Sequence, residues 1–320
     1  MSIQSKILNF MLKKYVKNVQ PPVEDRSYIE ARKMMNQKGY TDEETSWGAK
    51  LIQNLIFSQF KSEISVNEIH LKNIRTLHLS HDNFKNDKCI LYMHGGGYVA
   101  GSPETHLNML LSLARMSSIQ VFAIDYSLSP ESIFPKAIDD AVSSYNALLE
   151  KGFKSENIFI GGDSAGGNLT LVTTLKLQKL NQKLPSKLFL LSPWTDLTGE
   201  GRSIKDNSKS DPYLSYDNWL NTALSMQKTV KEWYAPQQDY KNPLISPVFA
   251  QYSNFPETLI QVSNIEILFS DSLDVADQIR KGKNKVHLTV YKNVPHVWQI
   301  FGFLPEAKQA IREIAQFLSS

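Results

Sequence analysis

The chain has 320 residues, of which 42% are hydrophobic and 21% charged, and a net charge of +3. That suffices for one sizeable core and gives no reason to expect a polyanionic partner, so nucleic-acid binding is set aside. The lone cysteine, Cys89, excludes an intramolecular disulfide framework, and no Cys/His cluster has metal-ligand spacing.

The first eighteen residues set Ile3, Ile7, Phe10, Met11 and Val16 among Lys6, Lys13, Lys14 and Lys17, the pattern of an amphipathic basic helix that Pro21-Pro22 ends. The apolar run 7–12 is broken by Asn9, is too short for a secretory signal, and is followed by no small-residue cleavage site. No stretch reaches the roughly 18–20 apolar residues of a membrane span, so a cytoplasmic protein is expected. Association of the helix with a membrane surface is the weaker reading, ranked below a cap element.

Residues 67–71 and 75–80 open a series of strands. The apolar run 89–93 follows, with Cys89 as a buried core thiol, and leads into His94-Gly95-Gly96-Gly97. Three consecutive glycines let backbone N–H groups converge on one point, which the oxyanion of an acyl-transfer intermediate needs. Taken alone, the segment reads as a flexible loop. A strand at 121–126 comes next. A helix over 134–150 places Phe134, Ala137, Ile138, Ala141, Val142, Tyr145, Leu148 and Leu149 on one face, with Pro135 in its first turn.

Between a strand at 158–161 and a helix at 167–180 stands Gly162-Asp163-Ser164-Ala165-Gly166. This has the Gly-x-Ser-x-Gly form of a nucleophile elbow. A strand turning straight into a helix forces the central residue into a strained conformation with its side chain exposed. The flanking glycines leave out Cβ atoms that would strike the crowded backbone. Ser164 then sits at the C-terminal edge of a sheet, over the positive end of a helix. Asp163 is read as structural. Strands at 188–192, 259–263 and 286–291 and a last helix at 306–318 complete the alternation. The pattern implies an α/β protein with a mostly parallel sheet of about eight strands and helices on both faces. Residues 199–243 break it: they lack a strand pattern and hold Trp219, Met226, Trp233 and Tyr234. A span of that length between sheet elements points to a functional insertion.

These motifs together resemble the hormone-sensitive-lipase-like α/β-hydrolase carboxylesterases. Asp125-Tyr126-Ser127-Leu128-Ser129-Pro130-Glu131 with Phe134-Pro135 is similar to that family's Asp-Tyr-Arg-Leu-Ala-Pro-Glu stretch, with Ser127 in place of arginine. Leu191 to Thr198, Ser246-Pro247 and Val294-Pro295-His296-Val297-Trp298 match further landmarks in the same order. The resemblance implies an α/β-hydrolase fold with a helical cap. It divides the chain into a cap segment at 1–60, core at 61–198, a second cap segment at 199–243, and core again at 244–320.

A base must take the proton of Ser164. Of seven histidines, His296 follows the last expected strand on a loop, where the elbow fold keeps its base. His94 belongs to the glycine loop, His70, His78 and His81 to the early strands and their turn, His106 to the start of a helix, and His287 to a strand interior. The acid should follow strand 259–263, which leaves Glu266, Asp271 and Asp274. The resemblance places an Asp-Pro-Leu sequence here; aligning its leucine with Leu268 puts Glu266 on the acid position. Asp271 reads as a helix cap. The oxyanion donors expected are the N–H groups of Gly96, Gly97 and Ala165.

The expectation is a serine carboxylic-ester hydrolase with no cofactor and no metal. Its substrates are small esters of short or medium acyl chain, with a lactone as the alternative. A non-catalytic receptor for a small ligand on the same fold is the reading from another class, disfavoured by the joint presence of Ser164 and His296. Amide cleavage or acyl transfer would use the same acyl-enzyme. A homodimer is compatible with the sequence.

Overall fold

The computed structural model describes residues 1–15, 28–29, 32, 63–215 and 219–320. Most of the expected first cap segment, with Val16, Lys17 and Pro21-Pro22, lies outside the described residues. Eight strands form one sheet: β1 (Ser65–Leu71), β2 (Ile74–Ser80), β3 (Lys85–Met93), β4 (Ile119–Ile124), β5 (Ile158–Asp163), β6 (Lys187–Leu191), β7 (Glu257–Ser263) and β8 (Val286–Tyr291). Their spatial order is β1-β2-β4-β3-β5-β6-β7-β8. The first two pairings, β1 with β2 and β2 with β4, are antiparallel. All others are parallel.

The central strands β4 and β5 are buried along their whole length because helices cover both sides of the sheet. Alternation still sorts the strand residues. Cys89, Leu91, Met93, Phe122, Ile124, Ile158, Ile160, Leu188 and Leu190 enter one core. Ile90, Tyr92, Val121, Ala123, Phe159, Phe189 and Leu191 enter the other. The first core is closed by α3 (Lys136–Glu150), α4 (Ala165–Lys179) and α7 (Phe269–Lys281). The second is closed by α2 (Leu107–Ser117) and α8 (Pro305–Ser319). Burial of Cys89 pushes its thiol far above its ordinary range, as befits a core residue rather than a reactive one.

Helix α1 (Ile3–Tyr15) lies against the loop after β8 and the start of α8. Leu8 and Leu12 pack with Tyr291, Trp298, Phe301 and Leu304. Glu306 accepts hydrogen bonds from the Ser2 and Ser5 hydroxyls at 2.8 and 3.0 Å. Between β6 and β7, residues 199–243 contain α5 (Arg202–Asp206), α6 (Trp219–Lys228) and a turn of π-helix (Thr229–Tyr234), and no strand among the described residues.

Several element ends depart from the sequence reading. Helix α4 starts at Ala165, two residues early, because the elbow has no linker. Strand β3 extends back to Lys85 through a register irregularity before Cys89. Helix α3 starts at Lys136 rather than at residue 134, so Pro135 stands at its cap position instead of in its first turn. Phe134 is held outside the helix, where its N–H donates to the carbonyl of Tyr234 at 2.8 Å.

The crowding between β3 and α4 can be tested directly. A Cβ on Gly166 would stand 2.0 Å from the carbonyl oxygen of Met93, a backbone atom with nowhere to go. Gly166→Ala is expected to lower the unfolding free energy by about 1–3 kcal/mol, or to prevent folding outright. A urea-denaturation midpoint equal to that of the unaltered protein would contradict this close approach.

Candidate active site

Ser164 joins β5 to α4 with φ 52° and ψ −119°, a strained conformation for a residue with a Cβ. Three backbone hydrogen bonds hold it there. Its N–H donates to Leu191 O at 2.9 Å, and its carbonyl accepts from Trp194 N at 3.0 Å and Asn168 N at 3.1 Å. Both flanking glycines are required by contact: a Cβ on Gly162 would lie 2.4 Å from Gly166 O and 2.5 Å from Met93 O. The side chain is thereby left half-buried at the C-terminal edge of the sheet.

His296 stands on the loop after β8, buried, with Nδ1 2.6 Å from Glu266 Oε2. Glu266 is fully buried on the loop after β7. Its other oxygen accepts from Ser192 Oγ and from Ser263 N, each at 2.8 Å. The glutamate therefore reaches the histidine with one oxygen while two hydrogen bonds hold the other, so its orientation is fixed from two directions. Positive φ values recur at this place: Ser192 at 46° and Val297, next to His296, at 48°. A β-branched residue in this region is unusual, and the surrounding contacts must hold it there.

No hydrogen bond joins Ser164 Oγ to His296 in this structure. The two are linked through the end of β6 and the segment after it: Leu191 and Trp194 bind the Ser164 backbone while Ser192 binds Glu266. Such bonds are often long before substrate arrives.

Burial alone would lower the His296 pKa. The charge and hydrogen bond of Glu266 outweigh it, with Asp211 and Asp163 adding, and hold the imidazole above its ordinary 6.5. Burial pushes the Glu266 carboxyl up, with the His296 charge opposing.

The other acid candidates are engaged elsewhere. Asp271 lies in the first turn of α7, as expected, but does not cap that helix. Its Oδ2 accepts from Thr195 N and Asp196 N, each at 2.8 Å, and so ties α7 to the loop after β6. Asp274 pairs with Arg202 at the surface, 2.7 Å away. Asp211, which the sequence did not single out, is buried and accepts from the N–H groups of Tyr213, Leu214 and Ile267 at 2.8–2.9 Å. Its bond to Ile267 has no local signal in the sequence, because the two are remote in the chain.

The glycine loop follows β3 directly. Gly96 has φ 122° and Gly97 φ 64°. Among the described residues, neither of their N–H groups donates to a protein acceptor. The N–H of Gly95 is taken by Asp163 Oδ1 at 2.9 Å. That carboxylate is buried and also accepts from Tyr92 Oη at 2.6 Å, while His106 Nε2 lies 3.2 Å from its second oxygen. Burial would raise the Asp163 carboxyl, but the charge and hydrogen bond of His106 hold it below its ordinary 3.8. Burial would lower His106, but Asp163 holds it above 6.5. His94 organises the loop as expected: its Nδ1 lies 2.7 Å from Gly95 O, and its ring stacks on Tyr126 at 4.4 Å. Burial, with the charge of His106, pushes it down to about 4.

Above the glycine loop, Trp233 packs on Val99 and Ala100, and Tyr28 meets it edge-on at 5.9 Å. Arg32 donates to the carbonyls of Val99 and Ser129, each at 2.9 Å. It also forks onto both oxygens of Glu131 at 2.8 and 2.9 Å. Glu131, a landmark without evident purpose in the sequence, is thus the anchor of an arginine from the N-terminal segment.

Residues 90–300 match the family model described as the alpha/beta hydrolase fold. An esterase of Acinetobacter venetianus is 37% identical over 232 residues, covering 72% of this chain and 74% of that protein. An acetyl-hydrolase of Streptomyces hygroscopicus is 32% identical over 232 residues, covering 72% and 75%. Among solved structures, an esterase from the bacterial hormone-sensitive lipase family superposes with a TM-score of 0.83 at 28% identity, over 99% of this chain and 98% of that one.

Two measurements test this electrostatic arrangement. Glu266→Gln removes the charge that holds His296 up, so burial prevails and the imidazole pKa falls. The acid limb of kcat/KM is expected above pH 6.5 in the unaltered protein and lower in the variant, with kcat reduced about 10²- to 10⁴-fold. An acid limb that stays in place would separate Glu266 from His296. For stability, Asp163 contributes above pH 3.8, and this is lost as pH falls through its depressed folded value. His106 contributes below pH 6.5, and this is lost as pH rises through its raised folded value. The pair stabilises most between those two pH values. In His106→Gln, denaturation midpoints across that window should lose this excess.

Proposed function

The chain belongs to the alpha/beta hydrolase fold family and is a carboxylesterase of the hormone-sensitive-lipase type, and we propose that it cleaves short- to medium-chain esters through an acyl-enzyme on Ser164. The observation that carries this reading is the buried Glu266–His296 pair, reached from Ser164 through the end of β6 and the short segment after it. In this reading Ser164 Oγ attacks the acyl carbon. Its proton passes to Nε2 of His296, since Nδ1 is committed to Glu266. Glu266 fixes the tautomer and stabilises the imidazolium without accepting the proton itself. The N–H groups of Gly96, Gly97 and Ala165 receive the oxyanion, and the unpaired state of the first two supports that assignment. Collapse of the intermediate expels the alcohol, which takes the proton from His296. Water then repeats the cycle on the acyl-enzyme and releases the acid.

Residues 1–60 and 199–243 are assigned to a cap over this site, with 61–198 and 244–320 as the core. The contact of Tyr28 with Trp233 supports this, because it brings the two segments together above the glycine loop. The short-acyl preference is supported by the Streptomyces acetyl-hydrolase at 32% identity. A lactone would meet the same groups, its ring-opened alcohol remaining on the acyl chain.

A series of p-nitrophenyl esters from acetate upward tests the reading. Rates should peak at short chains and vanish in Ser164→Ala, with the fold unchanged by circular dichroism. Equal rates in Ser164→Ala and the unaltered protein would remove Ser164 from the mechanism. Hydrolysis confined to lactones would move the substrate class and leave the site intact.

A further inference from the structure

Helix α1 carries two apolar stripes, and the fold uses one. Ser5, Leu8 and Leu12 face the body of the protein, with Leu8 2% and Leu12 0% exposed. Ile3, Ile7 and Phe10, at i, i+4 and i+7, lie about half a turn away on the opposite face. They are 72%, 55% and 63% exposed. Three large apolar side chains on one outward helical face are more than the scattered hydrophobes a soluble surface ordinarily carries. Lys6 and Lys13 flank the stripe, and Lys14 lies 5.9 Å over the ring of Phe10. The helix has no acidic residue.

The helix is also fixed in place. Ser2 and Ser5 bind Glu306, and Asn9 Nδ2 donates to Asn293 O at 2.8 Å, on the loop that carries His296. Its buried face shares a cluster with Tyr213, whose ring is 6.4 Å from that of His296. The helix that bears the outward stripe is thus fixed to the loop that carries His296.

We propose that Ile3, Ile7 and Phe10, with Lys6 and Lys13, form a docking surface for an anionic lipid membrane. The occupant follows from the chemistry of the face. An apolar stripe flanked by cations, with no anion among them, complements the acyl–headgroup boundary of a negatively charged bilayer. The helix lies on such a surface and does not cross it: no described helix is long and apolar enough to span. Docking would bring the site to the interface where sparingly soluble esters collect. The proposal concerns binding alone and does not depend on the assignment of Ser164.

Co-sedimentation of the full chain with vesicles tests it, comparing equimolar phosphatidylcholine and phosphatidylglycerol with phosphatidylcholine alone. Point variants are required, because deleting α1 would also remove Leu8 and Leu12 from the core. The unaltered chain should bind the anionic vesicles and bind the neutral ones more weakly. Ile7→Ser with Phe10→Ser should weaken binding at least about tenfold. Lys6→Gln with Lys13→Gln should weaken it by about fivefold per lysine, and only on anionic vesicles. Melting temperature and hydrolysis of a water-soluble ester should stay unchanged in both variants. No binding to anionic vesicles, or equal binding by the Ile7→Ser/Phe10→Ser variant, overturns the proposal. A dimer in solution that this variant dissociates would assign the face to a second copy of the chain and overturn it equally.

Discussion

One buried carboxylate fixes how the two halves of the site stand to each other. Asp163 belongs to the elbow, immediately before Ser164, yet its side chain turns back to bind the N–H of Gly95 and the hydroxyl of Tyr92. The glycine loop cannot move relative to the elbow without breaking those bonds. Leaving an anion buried and unpaired costs several kcal/mol, so the structure must supply a partner. His106 is that partner, and its raised pKa is the counterpart of the lowered one on Asp163. The pair's worth lies less in net stability than in geometry. It holds the end of β3 and the glycine loop against the end of β5, where Ser164 stands.

The second buried carboxylate is placed in the opposite electrostatic setting. Glu266 has Asp211 near it, and burial raises its pKa. Its hydrogen bonds come from Ser192 and the Ser263 N–H, both neutral, and from the His296 imidazole. The charge of a carboxylate so held acts on His296, whose pKa it raises against the effect of burial. Asp163 and His106 hold each other's charged forms, with the carboxyl lowered and the imidazole raised, whereas the Glu266 carboxyl is pushed up by burial while its charge raises His296. The same side-chain chemistry thus yields a fixed brace in one place and a responsive group in the other, and environment alone makes the difference.

How far the sequence disclosed this depended on distance along the chain. Strands β3 to β6 were legible in their buried parts, because both faces of the sheet are covered there and the runs are mostly apolar. The elbow was legible because its steric demand is local: Gly162 and Gly166 answer contacts made within a few residues and with one neighbouring strand. The starts of α3 and α4 each lie two residues from where the sequence pattern puts them, for specific reasons. Phe134 is drawn out of its helix by the carbonyl of Tyr234, 100 residues away in sequence by the difference of their numbers, and the elbow leaves no linker before Ala165. Asp271 looked like a cap because it begins a helix, and only folding reveals that it caps the 195–196 amides instead. Asp211 and Ser192 were invisible as supports for the same reason. Each acts on a residue more than fifty positions distant, and no local pattern encodes such a pairing.

The placement of α1 adds a further constraint to the His296 loop. That loop must hold Val297 at a positive φ, which a β-branched residue resists. Trp298, Phe301 and Leu304, immediately beyond, are packed by Leu8 and Leu12 from the first helix. Apolar burial of that kind contributes about 1.5–3 kcal/mol per large side chain, comparable to the cost of the strained residue it adjoins. The inner stripe of α1 therefore packs against the segment that follows His296, and the outer stripe on the same helix is rigidly referenced to that segment. Whatever surface the outer stripe meets is met at a fixed distance and angle from the loop that carries His296, because one helix bears both faces.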